Sequence, residues 1–257
     1  MVIIGKSQIA GGGGTAKRLE FEYTGTYNER LEDGVVELLT SGVLTVTKDT
    51  YIDAFLVGGG GAGNGAKDVR EAAAGGGSGY TKTLTKILLQ KGVNYQISIG
   101  AGGAYRTGAS STIGLAGGGT TAFGITVNGG QPSTNSATGG SGGSGGGGTA
   151  RQGGSDGSNG VSSGAIIGGK GQGTTTREFG EATGKLYAGG GSGGSSDNTP
   201  IGLAGGAGGG GMGGTYAVNG GDGEVNTGGG GGGRGSGSQL HAGSGGSGIV
   251  CIRLHKE

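Results

Sequence analysis

Tryptophan is absent from this chain, and it has only four phenylalanines and one cysteine. Apolar residues make up 30% of it, too little for a side-chain core along the whole length. A small core forms only where those residues are concentrated. The single cysteine, Cys251, excludes an intrachain disulfide. It lies inside the apolar stretch Ile249–Leu254 and reads as a buried small hydrophobe. Net charge is +1, so no electrostatic attraction to nucleic acid or an anionic membrane is expected. No segment approaches the roughly 20 apolar residues of a membrane span, and no membrane insertion is expected. The N-terminus lacks the charged region and apolar stretch of a secretory signal. The two histidines, His241 and His255, have no metal-ligand spacing between them, and His255 reads as a solvated residue of a charged tail.

What the chain has is glycine. All but 8 of its 78 glycines fall between residues 58 and 248. A chain one-third glycine is collagen-like if glycine recurs at every third position, and disordered if it does not. Here the period breaks within every run, and Gly145–Gly148 and Gly228–Gly233 are unbroken blocks. A third arrangement is a bundle of short extended glycine helices. A polyproline-II-type helix has three residues per turn and no internal hydrogen bonds. Its N–H and C=O groups point outward and require partners. Neighbouring helices supply them only if the backbones approach closely, which glycine alone permits on every side. At about 3.1 Å per residue, Gly228–Gly233 would span about 19 Å.

Several segments alternate apolar and polar with period two, the pattern of half-buried strands. Leu19–Tyr23 is one and Val93–Ile99 is the cleanest; Val35–Thr40, Val43–Thr47, Tyr51–Val57, Tyr80–Leu88, Phe123–Val127 and Ile249–Leu254 complete a set of about eight short strands. Asp33-Gly34 and Ser41-Gly42 read as hairpin turns. The expected fold class is all-β: an antiparallel β-sandwich-like platform with inserted glycine-rich loops that form a polyglycine-II helix bundle. Residues 1–57 would form the platform, joined by strands within 80–99, 122–128 and 249–255. Residues 58–248 would form the bundle.

The glycine runs leave the platform and return to it. Tyr51–Val57 feeds into Gly58–Gly61, and the chain returns through Gly75–Gly79. Ile97–Ile99 feeds into Gly100–Gly103, and the return is Gly117–Gly119. The turning points, Asn64–Ala74 and Ala104–Ala116, are therefore distal. Counting backward from Ile249–Leu254 makes Ser238–Ala242 and Thr215–Asn219 distal as well. Counting forward from Phe123–Val127 gives the opposite parity, so one run between 129 and 248 is merged or split in this count.

Three motifs imitate ligand sites. Gly58–Gly63 fits the dinucleotide-binding pattern G-x-G-x-x-G after a strand. A long helix should follow, with an acidic residue about 20 positions on; the region there is Tyr80-Thr81-Lys82-Thr83. Gly164–Gly171 nearly makes a phosphate-binding loop, but Gly171 stands where Ser or Thr should hold magnesium. Gly220–Val225 begins like a calcium-binding nonapeptide, with Val225 at an Asp position and no tandem repeat. No cofactor, no metal site and no catalytic activity are expected.

Phe21–Tyr27, Leu38–Thr45 and Ile52–Gly61 resemble segments of the glycine-rich tail and receptor-binding proteins of bacteriophages and prophages. Gly77–Thr81, Tyr95–Gly103 and the ending Gly245–Arg253 do so too, whereas 129–243 is similar only in composition. The resemblance implies polyglycine-II bundles like those of tail-fibre-tip adhesins, whose distal turns bind the host receptor. The implied function is a tail-associated adhesin recognising a bacterial cell-surface protein or glycan. The alternative is a structural tail or fibre subunit acting as a stiff spacer or assembly module. The implied location is the virion tail, the chain being made in the host cytoplasm. Other tail or fibre subunits would bind the β platform. A homotrimer stays open, since no heptad coiled coil specifies one. The candidate receptor-binding residues are those of the distal turns: Lys67, Asp68, Arg70 and Glu71; Tyr105 and Arg106; Tyr216 and Asn219; Gln239, Leu240 and His241.

Overall fold

The computed structural model describes residues 3–4, 18–65, 71–106, 113–134, 137–199, 201–237 and 240–256. In chain order the strands are β1 (Ile3–Ile4), β2 (Phe21–Tyr23), β3 (Tyr27–Arg30), β4 (Val35–Leu38), β5 (Gly42–Val46) and β6 (Thr50–Val57). They continue with β7 (Thr81–Leu89), β8 (Tyr95–Ile97), β9 (Thr120–Ala122), β10 (Ile125–Val127) and β11 (Ile249–Leu254). The fold is all-β, with a single 3-10 turn, Glu178–Gly180, among the described residues. A five-stranded antiparallel sheet runs β3-β4-β11-β6-β7, a four-stranded sheet runs β1-β2-β5-β8, and β9 and β10 form a hairpin. The last strand thus sits at the centre of its sheet, between β4 and β6.

Alternation along the strands builds the core. Val36 and Leu38 of β4, Ile52, Ala54 and Leu56 of β6, and Val250 and Ile252 of β11 face inward. They meet Phe21, Tyr23, Leu44, Val46 and Ile97 of the other sheet. The opposite face of the five-stranded sheet is also covered. There Val35, Phe55, Val57, Ile249 and Cys251 pack against Phe179, Tyr187 and Ala188. This second cluster explains why β11 is buried on both faces over its first four residues.

Three expectations need correction, and one strand has no counterpart among them. Phe123–Val127 is not one strand: Phe123 and Gly124 turn with φ of 52° and 75°, so β9 and β10 pair on either side of them. Ser41-Gly42 is not a hairpin, because β4 and β5 belong to different sheets. The chain crosses between the sheets there, held by Leu39 N–H to Thr26 O and by the Tyr23 hydroxyl to Thr40 O. Strand β3 carries no period-two signal in Tyr-Asn-Glu-Arg and forms by pairing with β4 through the Asp33-Gly34 turn. His255 is not a solvated tail residue. Its Nδ1 lies 2.7 Å from Asp53 Oδ1, and its N–H donates to Tyr51 O.

The glycine runs form a hydrogen-bonded lattice with a period of three. Along 58–64, the N–H groups of Gly58, Gly61 and Asn64 donate to Tyr80, Gly77 and Ala74. Those of Gly59 and Ala62 donate to Gly118 and Leu115, and those of Gly60 and Gly63 to Gly246 and Gly243. Each successive N–H thus points to the next of three neighbouring runs, as a threefold helix requires. The carbonyls of this run accept from Gly130, Gly103, Gly231 and Arg234, on three further runs. The run Gly228–Ser236 is enclosed in the same way. Gly230, Gly233 and Ser236 donate to Gly189, Ser192 and Ser195, whereas Gly228, Gly231 and Arg234 accept from Gly79, Gly76 and Ala73.

The miscounted direction has a local cause. Gly140 and Gly143 donate to Gly75 and Ser78, but Ser78 and Gly75 donate to Ser144 and Gly147. The block Gly139–Gly148 is therefore two antiparallel runs reversing at Ser141–Ser144. A second concealed reversal uses Gly208 and Gly209, with φ of 98° and 92°.

Lattice and platform each yield a prediction. A Cβ on Gly231 would stand 2.6 Å from the Gly243 carbonyl carbon and closer still to its oxygen. Backbone cannot step aside as a side chain can. Gly231→Ala should destabilise by at least the upper end of the ~1–3 kcal/mol seen for overpacking. Gly118→Ala, whose nearest neighbour would be Ala101 N at 3.1 Å, should cost clearly less in urea unfolding.

On the platform, burial raises the Asp53 carboxyl, but the Lys86 N–H, His255 and Arg253 outweigh it and hold it below 3.8. Its stabilisation is therefore complete above that value and is lost as pH falls through the lower native value. Asp53→Asn should lower the thermal midpoint at neutral pH. It should also flatten the acid limb of the stability curve below about pH 4.

Candidate functional site

Inside the lattice almost every polar backbone group is consumed by another run, so side-chain chemistry is confined to the turns. Asn64 N–H to Ala74 O closes the first distal turn, and Leu115 N–H to Ala104 O the second. Thr215 N–H to Val218 O closes the third. The fourth joins Gly228–Ser236 to the run that returns through Gly243 to β11.

Residues far apart in sequence meet there. The Tyr105 and His241 rings stack with centroids 4.6 Å apart and planes 11° from parallel. The Tyr105 N–H donates to Ser244 Oγ at 3.3 Å. The His241 N–H donates to Asn219 Oδ1 at 3.0 Å, and Gly220 N–H donates to His241 O. His241 Nδ1 is 3.0 Å from Ala242 O, a carbonyl that can only accept, so Nδ1 is the donor there. Tyr105, Asn219 and His241 thus form one half-buried group assembled from three turns. Tyr216 stands beside it on the third turn, 56% exposed.

Arg234 organises this end. It is 5% exposed. Its Nε donates to Leu240 O and its Nη2 to Gly237 O, both at 2.8 Å. Its backbone N–H donates to Asn64 O, and its carbonyl accepts from Ala73 N–H. One guanidinium fork therefore shapes the fourth turn while its backbone ties that turn to the first. In sequence Arg234 looks like ordinary punctuation after a glycine block, and nothing marks it as buried.

The other candidate residues divide as follows. Leu240 is half-buried in the turn that Arg234 holds. Arg106 is exposed beside Tyr105. Glu71 is exposed on the first turn, and no described contact joins it to the Tyr105–His241 group. Lys67, Asp68, Arg70 and Gln239 lie outside the described residues. The structure adds aliphatic residues that sequence reasoning passed over. Ile113, Leu115, Ile201 and Leu203 are 41–72% exposed, at the starts of runs that return from distal turns. Single apolar residues among glycines give no periodic signal, so only the path of the chain reveals their common placement. Val225, 70% exposed, is at a platform-side turn.

The phosphate-loop imitations resolve differently. All N–H groups of Gly58–Gly63 donate to backbone carbonyls of other runs, so none is left for a pyrophosphate. Ser163–Ile166 closes a tight two-way turn around Gly164 at φ 59°. Asp222 Oδ1 accepts from Ser244 N–H at 2.7 Å.

A family model described as a glycine-rich domain matches residues 39–255. The chain belongs to this glycine-rich domain family. No curated protein matches the sequence. The part of this glycine-rich domain protein that the family model covers starts where the chain leaves β4 for the second sheet. It includes the whole lattice, every candidate residue and the central strand β11. Among the described residues no helix is long and apolar enough to cross a membrane.

The Arg234 fork can be tested directly. Arg234→Lys keeps the charge but cannot reach two carbonyls from one planar group. The expected result is faster amide exchange at 240–242 and a loosened Tyr105–His241 stack, visible as altered ring-current shifts. Exchange in the Gly58–Gly63 interior should stay unchanged.

Proposed function

We propose that this glycine-rich domain protein is a tail-associated adhesin of a bacteriophage or prophage, which recognises a bacterial cell surface through the distal end of its glycine lattice. The observation that carries this reading is the meeting of Tyr105, Asn219 and His241, brought together from three turns of the lattice. The lattice interior offers almost no side chains, so any specificity must reside in the turns. A stacked Tyr–His pair with an exposed Tyr216 nearby supplies rigid aromatic area and polar edges. That combination is typical of binding hot spots. Exposed aliphatic residues on neighbouring turns extend the same end.

In this reading the lattice is a rigid arm and the distal turns are the contact. The platform faces the rest of the tail, and its partners there are other tail or fibre subunits. The protein is made in the host cytoplasm and acts in the virion. The binding requires no cofactor and no bond-making step.

The test is attachment of labelled protein to a panel of bacterial strains, beside Tyr105→Ala/His241→Ala. The expected outcome is strain-selective binding that falls at least tenfold in the double variant. Its thermal midpoint should stay close to that of the parent. Binding that survives the double variant would move the site elsewhere. Absence of binding to every strain, with assembly lost instead on platform mutation, would favour the spacer role.

A further inference from the structure

The outer face of the five-stranded sheet holds a group that the adhesin reading does not use. Glu37 on β4 and Cys251 on β11 are direct cross-strand partners. The 3-10 turn brings Glu178 over them. One ligand atom from each residue lies within 4.8 Å of the other two, and all three residues are buried. Tyr187 adds a phenolic oxygen 3.4 Å from Glu37 Oε1 and 3.7 Å from Cys251 Sγ. Arg30 Nη2 donates to Glu178 Oε2 at 2.5 Å. Glu178 Oε1 is left buried without a hydrogen-bond partner, on a residue only 4% exposed. An unpartnered carboxylate oxygen in such a place is costly and calls for a counter-group.

We propose that Glu37, Glu178 and Cys251 bind one thiophilic divalent cation of the zinc class, with a water as fourth ligand. The donor set selects the metal. Two carboxylate oxygens and one sulfur suit zinc or cadmium, whereas magnesium and calcium take oxygen alone. Three formal negative charges from two carboxylates and a thiolate face a dication, Arg30 and, 3.8 Å from Glu37 Oε1, the exposed Lys185 ammonium. Arg30 keeps Glu178 Oε2, so Oε1 is the oxygen free to coordinate.

Burial, with Glu178 and Glu37 close by, holds the Cys251 thiol well above its ordinary pKa, so the thiol is protonated before metal arrives. On binding, the sulfur–metal bond forms as the Cys251 S–H bond breaks, and that proton leaves to solvent. No electron changes hands. Zinc–ligand bonds of about 2.0–2.3 Å require the ligands to draw together.

The site would act as a clamp. The segment 176–187 folds back on itself through Glu178 N–H to Lys185 O and Tyr187 N–H to Thr176 O. It covers Phe55, Val57 and Ile249 on the sheet. A metal joining Glu178 to β4 and β11 would fix that cover to the platform from which the lattice runs depart.

The experiment uses the full chain after chelator treatment, titrated with cadmium chloride and separately with zinc chloride. The expected result is one cadmium per chain, with an ultraviolet sulfur-to-cadmium charge-transfer band. Zinc should raise the thermal midpoint by several degrees. Cys251→Ser should abolish the band, and Glu178→Gln should weaken binding at least tenfold. The unmutated protein decides the matter even if a variant folds poorly. No charge-transfer band, or no zinc-dependent rise in the midpoint, overturns the proposal. So does a band that persists at full strength in Cys251→Ser. Zinc bound without a sulfur band in the cadmium titration would mean surface histidine binding, and overturns it equally.

Discussion

Close approach of backbones is the constraint on which the rest of this molecule depends. A threefold extended helix makes no hydrogen bond to itself, so each of its N–H and C=O groups must find a partner on another run. In Gly58–Asn64 and Gly228–Ser236 those partners are found on surrounding runs. A Cβ at most of these positions would overlap a neighbouring carbonyl. Each bond contributes only about 1 kcal/mol net, and ordering glycine carries a larger entropy cost than ordering any other residue. Only a dense, almost fully satisfied lattice can offset that cost. The serines inside it follow the same rule. Ser78 is fully buried, accepts from Ser144 N–H and donates to Ser144 O.

The lattice needs a platform to start and end its runs, and the small core provides it. The five-stranded sheet is covered on both faces, by the second sheet on one side and by the segment around Phe179 and Tyr187 on the other. Two charged groups flank that cover. Arg253 bridges Asp53 and Glu181 and stacks over the Phe179 ring at 4.0 Å. Arg30 joins Glu178 to Asp33. The β-bulge opposite Asp53 belongs to the same design: Lys86 takes φ 55°, and its N–H turns to the Asp53 carboxylate. An extra residue in an edge strand thereby completes a buried polar cluster.

Function follows from the division of labour between lattice and turns. A bundle whose interior is backbone can be long, stiff and chemically blank along its shaft. Its turns are the places where side chains of any size fit. The distal turns here carry a stacked Tyr–His pair, a buried arginine that shapes one loop, and exposed aliphatic residues. The family to which the chain belongs is a glycine-rich domain family, and glycine content accounts for the lattice without determining the side chains of its turns.

Glycine runs without a period, apolar alternation in short segments and a single cysteine were enough to set the class: an all-β platform with extended glycine helices inserted between its strands. Ile249–Leu254 was legible to the residue, because an apolar run bounded by glycine has one reading. The distal placement of Tyr105 and of Thr215–Asn219 followed from counting departures and returns. Three-dimensional pairing decided the rest. No local signal marks Ser141–Ser144 as a reversal, since glycine and serine permit either path and only the hydrogen-bond partners choose. Nothing in the sequence indicates that Tyr105 meets His241, that Arg234 is buried, or that Glu178 lies over Glu37 and Cys251. Those contacts join residues far apart along the chain, and a lattice held by identical backbone groups leaves their register to the packing of the whole.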